Sequence, residues 1–356
     1  MSIADSVVLI RGIYCKKIKS LNQTRKSKYL FNHLHEKVNM KSAYSTGVIC
    51  CLIATLSWGA GFPIMTSALT YIDPYTFTTL RYGFSGIALL IALSMLEGRS
   101  GLSFKGERIG LAWLLGTIAF VGFGFFVFLG QQMAGKDGAL TASIMMATMP
   151  MIGILVNWLI KKVAPPRLSI SLIVMSFFGV ITVITKGHYS TIFNSPGNYK
   201  ANALIIIGVF CWVIYTIGAS FFPKWSPLKY TTLTTCLGVC SIIFFNAIFY
   251  ISGLVPVPTS DALFAIAPHV AYMALIASFI GILCWNIGNK VLTPMNGVLF
   301  MDIVPITAFS ISAVTTVIPG AAEITGACIT GSALILNNLY LRYRMPKPVT
   351  LSVKTS

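Results

Sequence analysis

Two ionisable side chains stand inside stretches that are otherwise free of charge, Arg81 and Asp302. Placing such a group near mid-membrane costs on the order of 3 kcal/mol even on insertion scales, so each marks a candidate site. A fixed cation there binds an anionic or zwitterionic solute or forms a gate. A lone carboxyl group in a low-dielectric span is a proton-accepting group. Asp302 precedes Pro305 by three residues, and a proline removes one backbone donor and leaves a carbonyl of the preceding turn free beside it. Each residue also has a plainer reading: Arg81 as a snorkelling side chain that caps carbonyls or pairs with Asp73, and Asp302 as a buried acid satisfied by Asn296 or a neighbouring hydroxyl. Glu323 reads as a cap at the start of a helix, where a carboxylate meets the positive end of the dipole.

Trp58 and Trp212 fall near the middles of their spans and not in the interfacial belt where Trp is enriched, so they offer flat walls to a solute or pack against each other's half. Trp285, with Asn286 and Asn289, reads as a cavity rim or an anchor near the cytoplasmic end. Gln131 and Gln132 close a span externally and read as hydrated. Gly59, Gly61 and Pro63 interrupt one span, and Gly218 with Pro223 another; breaks in corresponding spans of two halves point to a binding site or hinge. His188 and His269 are isolated, and Cys236 and Cys240, four apart on one helix face, read as small packing residues in place of a metal pair. With no P-loop, no H-E-x-x-H and no dinucleotide fingerprint, neither an enzyme nor a bound cofactor is expected.

The elements that position these residues follow from composition. Of 356 residues 56% are hydrophobic and only 10% charged, which excludes a water-soluble surface. Six stretches (42–72, 109–135, 138–160, 201–223, 230–260 and 262–289) hold no Asp, Glu, Lys or Arg, and each is long enough to cross a core of about 30 Å as one helix. The continuous apolar runs exclude an outer-membrane barrel. Charges, Pro and Gly then punctuate the chain into ten spans near 46–67, 75–96, 109–131, 138–160, 168–186, 202–221, 231–253, 268–289, 295–317 and 321–340. Ten spans leave both termini on one side. The side of the basic tail at 1–45 then carries 22 Lys and Arg against three on the other, with Arg81 left inside a span. By the positive-inside rule both the tail and the segment 341–356 are cytoplasmic. The net charge of +17 is spread between apolar segments and implies orientation on membrane lipids, with no nucleic acid as partner.

A repeat is visible as well. Trp58 and Pro150 recur as Trp212 and Pro305 under a shift of 154 to 155 residues. The halves are therefore 46–186 and 202–340, five spans each. Five is odd, so the second half enters the membrane from the opposite side, and the fold class is all-α and polytopic, with two inverted five-helix repeats. Arg81 corresponds to Cys236 and Asp302 to Ala147, so both charges are single.

The chain resembles the EamA branch of the drug/metabolite transporter superfamily. The resemblance lies in S-W-G-A-G-F-P at 57–63, Asp73-Pro74 running to Arg81, Pro150 and Pro305 in the fourth span of each half, and Glu323 with Gly326 and Gly331 opening the tenth. It implies a ten-span exporter with a central cavity between spans 1–4 and 6–9. The residues read as substrate-binding or gating are Trp58, Arg81, Pro150, Trp212, Trp285, Asn286, Asp302 and Pro305. The expected function is secondary active export of small metabolites across the inner membrane by alternating access: amino acids, related zwitterionic or amphipathic solutes, drugs included, with protons as the coupling ion. Two alternatives stay open, a passive channel and a membrane-embedded transferase on a lipid-linked substrate.

Overall fold

A computed structural model describes residues 44–104, 107–146, 148–162, 166–188, 196–292, 294–297, 300–301, 303–315 and 320–344. Asp302 and most of the two basic tails lie outside the described residues, so the expectations placed on them are neither met nor corrected here.

The described chain is helical in ten successive spans: α1 (Tyr44–Ala68), α2 (Pro74–Leu96), α3 (Ile109–Met133), α4 (Gly138–Met146 followed by Met149–Lys161), α5 (Arg167–Ile184), α6 (Pro196–Gly218), α7 (Pro227–Ile251), α8 (Ser260–Leu292), α9 (Ile303–Thr315) and α10 (Ala321–Arg344). Seven helices are long and apolar enough to cross a membrane on their own, and parts of α5 and α10 are shorter apolar helices. The protein is an all-α polytopic membrane protein of ten helices in two inverted repeats.

Helix starts follow local chemistry that the two repeats share. The Asp73 carboxylate accepts from the backbone N–H groups of Tyr75 and Thr76 at 2.9 and 2.8 Å, with Pro74 at the first helical position. In the second repeat Ser226 Oγ accepts from Lys229 N at 2.9 Å ahead of Pro227. Both use a side-chain oxygen to satisfy donors that a helix start leaves unpaired, followed by a proline that needs none. At α10, Glu323 reaches back to accept the Gly320 N–H at 2.7 Å, the N3-to-N-cap half of a capping box.

Packing between the repeats is two-fold in pattern. Helices α2 and α7 pack on each other, as do α4 and α9, and α5 and α10; α3 lies against α6 and α7, while its counterpart α8 lies against α2 and α1. Glycine sets the closest approaches. A Cβ on Gly116 would lie 2.2 Å from the Thr234 carbonyl, and one on Gly238 would lie 2.7 Å from the Gly116 carbonyl, so α3 and α7 touch backbone to backbone.

The expected break in span 1 is not found, since α1 runs helical through Gly59, Gly61 and Pro63. These glycines are small for contact: a Cβ on Gly59 would meet Thr307 at 2.5 Å in α9, and one on Gly61 would meet Met273 at 3.2 Å in α8. Gly218 ends α6 and leads into a single 3-10 turn, Ala219–Phe221. The irregular segments lie elsewhere. Ile118–Phe123 in α3 and Tyr272–Ile280 in α8 are π-helical, and the shift of 155 superposes them. Such widened turns are frequent at functional sites.

Candidate functional site: an arginine in an aromatic and methionine cavity

Where the two repeats meet, a cavity of about 30 Å³ is lined by residues from seven spans. Its wall obeys the repeat. Trp58 and Trp212, Met146 and Met301, and Met149 and Val304 are pairs 154 or 155 positions apart, and all six line it. So do Phe123 from one π-helical segment and Met273 and Ala277 from the other.

Arg81 breaks the symmetry. It is 4% exposed, gives its Nε–H to Ser278 Oγ at 2.6 Å, and rests its guanidinium against the rings of Tyr82 and Phe128 at 4.8 and 5.2 Å. Neither plainer reading of this residue holds. Asp73 spends its carboxylate on the α2 cap, and a buried side chain on the cavity wall is not snorkelling. No carboxylate lies within ion-pair distance of Arg81 among the described residues. A guanidinium removed from water and held by one hydroxyl and two aromatic faces leaves the cavity electropositive.

Trp58 and Trp212 meet edge to face at 5.5 Å, and Trp58 gives its indole N–H to the Ala277 carbonyl at 2.7 Å. Pro150 and Pro305 are buried and sit in the first turns of the helical segments Met149–Lys161 and Ile303–Thr315. A missing N–H is harmless there. The residues just before them, Met149 and Val304, form the cavity wall.

Trp285 and Asn286 are corrected. Trp285 is fully buried, packs on Trp58 at 5.2 Å and donates to Thr216 Oγ1 at 3.1 Å; it is neither rim nor interfacial anchor. Asn286 donates to Tyr215 Oη at 2.9 Å and to Thr231 Oγ1 at 2.8 Å. Together these residues tie α6, α7 and α8 beside the cavity-lining Trp58. Gln131, expected to be hydrated, has no exposure and donates to the Phe62 carbonyl and Thr66 Oγ1 at 2.8 and 2.7 Å. It ties α1 to α3 below a cleft of about 220 Å³ that Gln132 and Lys136 help to line. Sequence reasoning missed Tyr82, Tyr215 and the methionines; only Tyr82, adjacent to Arg81, carried a signal that could have been read.

The ten-helix inverted repeat around an internal cavity is the architecture of a polytopic transporter. The family description "EamA-like transporter family" matches residues 45–185 and again 199–339, and the chain belongs to that family. It is 37% identical over 310 residues, 87% of this chain and 96% of the relative, to "Uncharacterized transporter YrdR" of Bacillus subtilis (strain 168). It is 27% identical over 255 residues, 71% and 81% of the two chains, to "Uncharacterized transporter YyaM" of the same organism. A solved structure titled "Crystal structure of protein" covers 84% of this chain and 98% of its own at a TM-score of 0.60 and 18% identity, a likeness of fold alone.

Proposed function

We propose that this transporter is a secondary active exporter of small carboxylate-bearing or zwitterionic metabolites, amino acids and related amphipathic solutes and drugs among them. It works by alternating access in the cell inner membrane with both termini in the cytoplasm. The observation that carries the reading is Arg81: a buried cation without an acidic partner among the described residues, on the wall of a cavity at the junction of two inverted repeats. Polar ties on either side of the cavity are consistent with two gates, and matching π-helical segments in α3 and α8 give each repeat a deformable turn beside it.

Asp302 is the proposed proton carrier, being the other lone intramembrane charge of the sequence. The test is uptake of radiolabelled phenylalanine into proteoliposomes with and without an imposed pH gradient, for wild type and Asp302→Asn. Gradient-driven accumulation lost in the variant supports coupled transport. Equilibration unaffected by the gradient in wild type would replace the exporter by a passive facilitator.

A further inference from the structure

Beyond the charge of Arg81, the cavity wall holds two polar atoms that find no partner among the described residues. The Tyr82 hydroxyl and the Trp212 indole Nε1 belong to residues 0% and 3% exposed, both residues line the cavity, and neither atom makes a hydrogen bond to a described residue. Comparable groups nearby are committed. Trp58 Nε1 donates to the Ala277 carbonyl, Trp285 Nε1 to Thr216 Oγ1, and the Tyr272 hydroxyl to the Ser57 carbonyl. A buried donor left unmade costs about 1–3 kcal/mol, so two on one small cavity call for an acceptor that is not part of the fold.

The chemistry of that acceptor follows from what the wall lacks. An indole N–H only donates, a guanidinium only donates, and a phenol donates one proton. Arg81 uses its Nε on Ser278, and its two terminal amino groups have no bond to a described residue. The remaining described lining is Trp58 and Phe, Met, Gly, Ala and Val residues, with no acidic or amide side chain among the described residues to receive an ammonium group. A carboxylate, with two oxygens and about four acceptor sites, matches a guanidinium fork supplemented by two single donors. Met146, Met149, Met273 and Met301 surround the same space. Their unbranched, polarizable side chains can rearrange to admit an apolar body of varied shape, which a cavity of about 30 Å³ must do to hold any metabolite.

We infer that Tyr82 and Trp212 are specificity-determining residues. With the Arg81 fork, the phenol O–H and the indole N–H bind the carboxylate of an amphipathic solute whose apolar body lies among the methionines. This assignment rests on the reading of the cavity as the solute site, and it adds the residues that separate carboxylates from neutral and cationic analogues.

Four probes with one ring test it on the purified full-length protein: phenylacetate, phenylalanine, phenylacetamide and phenethylamine, each titrated by thermal stabilisation. Tyr82→Phe deletes one polar atom and keeps the ring; Trp212→Phe deletes the indole N–H together with the five-membered ring, so its effect is read as the loss for phenylacetate relative to phenylacetamide, and the unliganded melting temperature checks that each variant folds. Wild type is expected to bind phenylacetate and phenylalanine in preference to phenylacetamide, with phenethylamine weakest. Each variant is expected to weaken phenylacetate by about tenfold or more, as for a hydrogen bond to a charged group, and phenylacetamide by less than about threefold. Equal losses for both probes, unchanged affinity in both variants, preference for phenethylamine, or no binding of any probe would overturn the inference. Counterflow of radiolabelled phenylalanine in wild-type proteoliposomes is scored separately. Carboxylate-selective binding without counterflow would sink the transporter reading and leave the recognition site standing, while counterflow with unselective variants would do the reverse.

Discussion

Trp58 and Trp212 occupy the same position in the two repeats and meet across the centre of the protein, ring centroids 5.5 Å apart and planes at 89°. Edge-to-face pairs contribute about 0.5–1.5 kcal/mol beyond the area they bury. A double-mutant cycle with Trp58→Leu and Trp212→Leu should therefore give a coupling of about 1 kcal/mol in reversible unfolding in detergent. Trp58→Phe should lose about 1 kcal/mol or more by itself, because the bond to the Ala277 carbonyl goes together with the five-membered ring. Strict additivity of the two leucine variants would mean that the rings do not meet in solution.

Gly116 and Gly238 set the crossing of α3 and α7, the pair in which a Cβ would fall 2.2 Å from the Thr234 carbonyl. Backbone cannot rotate away as a side chain can, so Gly116→Ala should destabilise by about 2 kcal/mol or more and lower the yield of folded protein. Gly83→Ala is the control. Nothing lies within 4 Å of its Cβ position, and alanine should be neutral or stabilising by up to about 1 kcal/mol. Similar melting temperatures for the two variants would refute the close crossing.

The ten spans and the inverted repeat were legible in the sequence because the hydrocarbon thickness forces a minimum length and each half carries Trp and Pro in the same order. Depth and facing were not. Trp285 and Asn286 read as near an end because span 8 was expected at 268–289, whereas α8 occupies Ser260–Leu292 and buries both. Gln131 read as hydrated for the same reason, although its amide bonds across to α1. Gly59, Gly61 and Pro63 looked like a break, yet small residues serve helix contact as often as flexibility. The π-helical segments left no compositional trace, since a widened turn comes from helix register and neighbours. Arg81 was found by its rarity, but its Ser278 partner, 197 residues away, could come only from the fold.

Outside the spans, Lys186 pairs with Asp137 at 2.7 Å, both side chains substantially exposed. The hydrogen bond to Asp137 raises the lysine pKa above its ordinary value, against a smaller opposing effect of partial burial. A raised folded-state pKa gives stability that is fully present below the unfolded value of 10.5 and is lost as pH rises through the folded one. Lys186→Met should thus cost at most about 1 kcal/mol, the range for an exposed pair, with the difference from wild type constant from pH 7 to 9. A difference that changes over that interval, measured by thermal unfolding, would contradict the assignment.

The charge asymmetry predicts that the α7–α8 connection faces outside and the α6–α7 connection faces the cytoplasm. Val257, 75% exposed, and Lys224, also exposed, report on the two. Single cysteines placed there, in a chain stripped of its eight native cysteines, should react with an impermeant maleimide on intact cells at position 257 alone. Reaction at 224 alone would invert the proposed orientation, and reaction at both would break the span count between them.

The charge of Arg81 and its hold on Ser278 can be separated by substitution. Arg81→Gln removes the cation, Arg81→Lys keeps it but gives up the planar fork, and Ser278→Ala leaves the guanidinium intact while deleting the hydroxyl that fixes its Nε. If the cation recognises a carboxylate, initial efflux of phenylalanine should fall about 30-fold or more in Arg81→Gln. It should fall by a smaller factor in Arg81→Lys, and by about three- to tenfold in Ser278→Ala. The methyl ester of phenylalanine, which keeps the amine and ring but carries no carboxylate, should lose far less in all three. A charge screened by bulk water would give a loss that fades with salt. Arg81 is buried, so the ratio of acid to ester transport should stay nearly constant between low and physiological ionic strength. Equal losses for acid and ester would identify Arg81 as a gate or scaffold, and faster wild-type transport of the ester would reverse the proposed substrate class.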